Sequence, residues 1–219
     1  MSLVYPAANP GAGNHADMGA IMRLRSIRTI LAFCALSSTL SPALMTRETN
    51  QAIEDEVNIL YGSSPDIVKT QAVDRLVAIG PDAIPLLVPV ICDKSKPNFD
   101  LAWPFAAKAL GELKAKNAAA CLATLLAYNF PPIGPASMKS DETITQVDPA
   151  FAPLIEIGEP GVYAIRAVLP FLHPEGAYVA LRVLRRINTP SAREAVDAYI
   201  KYLNNQIRLA NTVLDMWDK

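Results

Sequence analysis

A phrase made of a helix end, a glycine turn and a second helix returns along this chain, and it constrains the fold more than any other feature. It reads LVAIGPDAIPLLVPVI at Leu76–Ile91 and LIEIGEPGVYAIRAVL at Leu154–Leu169. Each copy sets an apolar helix end before Ile-Gly, then a turn residue beside a proline, then a second apolar stretch. A repeated unit of this kind cannot close a core alone and must stack on copies of itself.

Two degenerate partners extend the series. The turns align at Ile79-Gly80, Leu113-Lys114, Ile157-Gly158 and Ile187-Asn188, with spacings of 34 (79 to 113), 44 (113 to 157) and 30 (157 to 187) residues. The longest spacing contains the Pro- and Gly-rich stretch Asn129–Asp148, which reads as an irregular loop. The underlying unit is then about 30–35 residues, two helices each.

Helical periodicity and breakers place the elements between these turns. The spacing predicts helices over Asn50–Tyr61, Asp66–Ile79 and Ala83–Cys92, the last with an interior bend at Pro89. In Asp66–Ile79 the buried stripe is expected at Val68, Ala72, Leu76 and Ile79, with Lys69, Asp74 and Arg75 turned away. Asp93–Asp100 reads as a polar loop. Helices follow from Pro104 to Leu113 and from an Asn117 cap to about Tyr128. After the loop come Pro149–Ile157, Pro160–Leu172, Pro174–Ile187 and a last helix that runs unbroken to Trp217. Gly80 stands where a helix end needs a positive φ.

The phrases Leu76–Leu87 and Leu154–Leu169 resemble HEAT and HEAT-like (phycobilisome-lyase-type) repeats. In that family the first helix ends in an apolar-Gly turn and the second opens with an Ala-apolar-Pro element. Ala83-Ile84-Pro85 matches this, and Val162-Tyr163-Ala164 has alanine in place of the proline. The resemblance spans roughly Ser64–Tyr202. It implies an all-α fold, an α-α superhelix or solenoid of about four HEAT-like helical pairs followed by a long C-terminal helix. It says little about activity.

The first residues carry a different signal. Met22–Ala43 has a basic start (Arg23, Arg25, Arg28), an apolar run at Thr29–Leu40 and small residues at Ser41-Pro42-Ala43. That is the order of a secretory signal peptide, and the apolar run is too short for a stable membrane span. Residues 1–21 read as sequence upstream of the true start, with Met22 or Met18 as initiator. The expected mature domain is 44–219, exported to a bacterial periplasm or the extracellular space, with no stable membrane span.

Composition narrows the function classes. Apolar residues make up 51%, enough for a packed core. Of 20 basic and 21 acidic residues, the first 43 positions hold three arginines and one aspartate, which leaves a net charge of −3 beyond them. Such a domain has no general field for nucleic acid or anionic membrane. There are three cysteines, Cys34, Cys92 and Cys121. Cys92 and Cys121 fall in different helices. They read first as small buried thiols, with a disulfide as the alternative.

No chemical motif stands out. His173 is the single histidine of the mature chain, which argues against His-rich metal sites and Ser-His-Asp or Cys-His catalysis. His173-Pro174-Glu175 reads as a helix terminus. Glu54-Asp55-Glu56 fans around a helix and does not converge on a cation. Arg182, Arg185 and Arg186 share a helix face and read as solvated, with an anion patch as the alternative. Catalytic, metal and cofactor residues are therefore expected to be absent.

The expected role is a protein–protein interaction or scaffold module that takes a protein or peptide partner on the second helices of the pairs. Candidate contact residues are Tyr128, Arg166, Arg193 and Lys201. The competing reading is a lyase-like or other ligand-handling repeat enzyme. The last helix adds a stripe of Val196, Ile200, Leu203, Ile207, Ala210, Leu214 and Trp217, stepping 4-3-4-3-4-3 over about three heptads. It reads either as a cap on the end of the stack or as a homodimer or partner-docking helix.

Overall fold

The computed structural model describes residues 42–126, 128 and 140–217. The expected upstream segment, and the expected signal peptide as far as Ser41, lie outside those residues. The chain divides into two units after Thr46, and the account below concerns the second, Arg47–Lys219. Every regular element among the described residues is helical.

The α-helices are α1 (Pro42–Tyr61), α2 (Asp66–Ile79), α3 (Ile84–Cys92), α4 (Phe99–Glu112), α5 (Ala119–Leu125), α6 (Asp141–Val147), α7 (Phe151–Ile157), α8 (Glu159–Val168), α9 (Pro174–Ile187) and α10 (Pro190–Trp217). Short 3-10 turns at Pro81–Ala83, Lys116–Ala118 and Leu169–Phe171 join or end them. No single helix among the described residues is long and apolar enough to cross a membrane.

Packing sorts the helices into two rows. One row runs α2 on α4, α4 on α7 and α7 on α9; the other runs α3 on α5, α5 on α8 and α8 on α10. Within a pair, α2 meets its second helix at a bend of 115°. The core between the rows is aliphatic and alanine-rich, with Leu76, Leu87, Leu110, Leu122, Leu154, Ile165 and Leu184 buried. Arg75 on α2 grips Glu56 on α1 through two hydrogen bonds, Nε to Oε1 at 2.5 Å and Nη2 to Oε2 at 2.8 Å.

The aligned turn positions share a backbone property that their side chains do not announce. Gly80, Lys114, Gly158 and Asn188 all have positive φ, at 88°, 50°, 74° and 54°. They form two kinds. Gly80 and Gly158 have ψ of −148° and −126°, a region open essentially to glycine alone. Asn188, with ψ of 29°, lies in the left-handed helical region that asparagine tolerates.

Several expectations need correction. The first helix starts at Pro42, ahead of Asn50. The stripe of α2 keeps Ala72 and Leu76 as expected but adds Lys69 and Val73, while Val68 and Ile79 are only half-buried. Lys69 enters because its stem packs while its ammonium donates to the Leu101 carbonyl at 3.0 Å and faces the Phe105 ring. α4 begins at Phe99, so Pro104 is interior and does not open the helix. Burial of Phe99 and Trp103, one turn apart, outweighs the hydrogen bond that the proline forfeits. Asn117 caps nothing, and α5 ends at Leu125, short of Tyr128.

The expected loop Asn129–Asp148 contains a helix, α6. Ser140 caps it by accepting from the Thr143 amide at 3.2 Å, and Asp141 and Glu142 favour the positive end of its dipole. Cys92 and Cys121 are not thiols but a disulfide, with Cα atoms 5.2 Å apart, linking the end of α3 to α5. The final helix runs as expected, to Trp217.

Candidate functional site

The last helical pair carries the most open apolar surface of the described chain. α9 buries Ala177, Val179, Ala180, Val183 and Leu184 and turns Tyr178, Leu181, Arg182 and Arg185 outward. α10 starts at a proline, and Thr189 Oγ1 accepts from the Ala192 amide at 3.3 Å. Only Ala192 and Ala195 of α10 are buried, with Val196 and Tyr199 partly so. Between the two helices lies a groove of about 610 Å³, floored by Leu181, Leu184, Val196 and Ile200 and rimmed by Arg185 and Arg193.

From Ile200 onward every described residue of α10 is exposed. Ile200, Leu203, Ile207, Leu214 and Trp217 show 49, 40, 59, 62 and 85% of their surface. The expected heptad stripe thus leaves the groove after Leu203 and continues exposed to Trp217. An end cap accounts for the first third of α10 only.

The arginines around the groove differ in their freedom. Arg182 Nε donates to Asp141 at 3.0 Å, a second guanidinium nitrogen bonds the same carboxylate, and Arg186 lies 3.4 Å from it. The hydrogen bond to Asp141 raises the Arg182 pKa above the ordinary arginine value, although partial burial opposes it. Arg193 donates twice to Asn188 Oδ1, at 3.2 and 3.1 Å, and is held against the turn. Arg185 is committed to no carboxylate among the described residues.

The sequence-predicted contact residues do not assemble into one site. Arg193 lines the groove. Arg166, on α8, approaches Glu194 on α10 at 4.0 Å, both exposed. Lys201 projects from α10 without a hydrogen-bond or ion-pair partner among the described residues. Tyr128 belongs to another patch. Its ring meets Phe99 and Trp103 edge-on at 5.7 and 6.1 Å, with the Lys94 ammonium 4.8 Å away. That arrangement is partly core and partly a cation-π contact beside the disulfide. Nearby, the Tyr61 hydroxyl is buried with no hydrogen-bond partner, and burial and then Asp93 push its pKa up.

Sequence reasoning missed Tyr178, Leu181 and Arg185 as groove residues. They occupy the outward face of a helix whose inward face was legible, and recognising them needed the knowledge that no further helix covers α9. Among the described residues no three His, Cys, Asp or Glu side chains converge to hold a metal ion. Against protein families, curated proteins and solved structures alike, the chain has no match.

Proposed function

We propose that this chain is an exported HEAT-like helical solenoid that acts as a protein–protein interaction module. The observation that carries the reading is the open apolar groove between α9 and α10, continuous with the exposed stripe of α10. Contiguous apolar surface of this extent marks an interaction site more often than a bare solvent face.

The solenoid part draws support from the two rows of packed helices, in which each pair touches the next. It also draws support from the shared positive φ at Gly80, Lys114, Gly158 and Asn188. Export draws support from the Cys92–Cys121 disulfide, a bond that persists in oxidising compartments and is rare in reducing ones. The basic, apolar and small-residue order of Met22–Ala43 points the same way.

The test is a crosslinking pull-down of the tagged protein from its own cell envelope, run beside Leu181→Glu and Val196→Glu variants. A partner that is captured by the native protein and lost with both variants supports the reading. A capture pattern identical for all three proteins sinks it.

A further inference from the structure

We propose that the projecting half of α10 pairs with the same segment of a second copy of this chain, in a two-fold, antiparallel seam whose two ends reach the α9–α10 grooves. The proposal rests on the interaction-module reading and names its occupant.

The projecting half is built to be covered. Over Ile200–Trp217 the apolar side chains occupy roughly half of the helix circumference when plotted at 100° per residue. One edge is the heptad stripe; the other adds Tyr202, Leu209, Val213 and Met216, all exposed. A two-stranded seam needs only the first edge. At the end of the seam, where the partner's Leu214–Trp217 reaches the α9–α10 groove, the second edge is used as well. Asn204, Asn205, Asn211, Thr212 and Val213 lower the helix propensity of this segment. Packing of its apolar face would add to its helical stability.

The area suits a stable complex. The exposed apolar side chains from Tyr178 to Trp217, with the aliphatic ones taken near the roughly 150 Å² lower end of the aromatic range, offer at most on the order of 1,000 Å² per copy for burial. A stable complex of ordinary size buries about 800 Å² per partner.

The stripe is complementary to itself when the helices run antiparallel. Setting Ile200 opposite the partner's Trp217 brings Leu203 opposite the partner's Leu214 and Ile207 opposite the partner's Ala210. The two-fold axis repeats each layer, so every apolar heptad position from Ile200 to Trp217 is matched. Asn204 then flanks the partner's Asn211, so the seam edge sets neutral groups together and no like charges.

Charge agrees with this polarity. The carboxyl end of α10 carries the negative pole of the helix and Asp215. In the antiparallel register it arrives beside the partner's Val196–Ile200, where Arg185, Arg193 and Asp197 line the groove, two basic groups to one acidic. A parallel arrangement would set the two carboxyl ends side by side.

Light scattering and sedimentation of the purified protein at micromolar concentration test the proposal. The expected mass is that of a dimer. Ile207→Glu and Leu214→Glu should each give a monomer whose circular dichroism loses helix only in proportion to the projecting segment. In a Cys34→Ser background, the Asn204→Cys/Asn211→Cys double variant should form a covalent dimer on oxidation, and neither single variant should. A monomeric mass for the native protein overturns the proposal, as does a dimer that survives both glutamate variants. Crosslinking by either single variant also overturns it, because the antiparallel register sets neither position opposite itself. Failure here leaves the module reading to its own pull-down test.

Discussion

Gly111 on α4 lies against Pro153 on α7 so closely that a Cβ on the glycine would sit 2.7 Å from the Pro153 Cα. The contact is with backbone, so no side-chain rotation relieves it. Gly111→Ala should push α4 and α7 apart and cost about 1–3 kcal/mol. A urea melt should show a lower midpoint at an unchanged slope. An unchanged midpoint would mean that the two helices are not in register at this point.

The two glycine turns give a sharper test of conformation alone. A Cβ at Gly80 or Gly158 would meet nothing within 4 Å, so crowding is not the issue. Both backbones occupy a region closed to other residues, and Gly80→Ala or Gly158→Ala should each cost more than about 1 kcal/mol. Lys114→Gly should act in the opposite direction, because lysine bears a left-handed φ of 50° that glycine adopts without penalty. Thermal melting of the three variants would establish the order.

Reducing the Cys92–Cys121 bond should destabilise the protein. The bond spans a sequence separation of 29, which corresponds to about 3–4 kcal/mol of loop-closure effect. The melting temperature should fall on addition of a phosphine reductant. The Cys92→Ser/Cys121→Ser variant should match the reduced protein and ignore the reductant.

A carboxylate links the starts of α8 and α10. Ser191 Oγ donates to Glu159, and this bond, followed by one from Thr189, holds the Glu159 pKa below the ordinary glutamate value. A group with a depressed folded-state pKa contributes stability that is complete above its unfolded value and is lost as pH falls through the folded one. The melting temperature of the native protein should therefore exceed that of Glu159→Gln at neutral pH. The gap should close on the acid side, below the ordinary glutamate range. A gap that stays constant into acid would show that Glu159 acts by packing and not by charge.

What the residues announced and what they withheld have the same physical basis. Helix ends are local events. Gly80, Gly158 and Asn188 were readable because the backbone there admits few residue types. α9, Pro174–Ile187, has a proline start and an αL stop and was bounded correctly. The misplaced elements depended on distant partners. Pro104 looked like a helix start until Phe99 and Trp103 found a buried site. Lys69 looked exposed until the Leu101 carbonyl, from another helix, offered an acceptor. α6 was hidden by the prolines before it, although Ser140-Asp141-Glu142 is a legible cap. The disulfide could not be read from spacing, because what pairs Cys92 with Cys121 is the packing of α3 on α5. The groove escaped for a related reason: an uncovered face can be known only once every covering helix is accounted for.

The position of the disulfide carries a further consequence. The helices of each row touch mainly their neighbours in that row, so strength passes from one contact to the next. The covalent link ties together the second helices of two adjacent pairs near the amino-terminal end of the rows, and no equivalent link is described between α8 and α10. Opening should therefore be directional. Amides of α9 and α10 should exchange with solvent before those of α3 and α5, and a protease should trim the chain from its carboxyl end inward. Occupancy of the α9–α10 groove would add a clamp at the end that the sulfur bridge leaves loose.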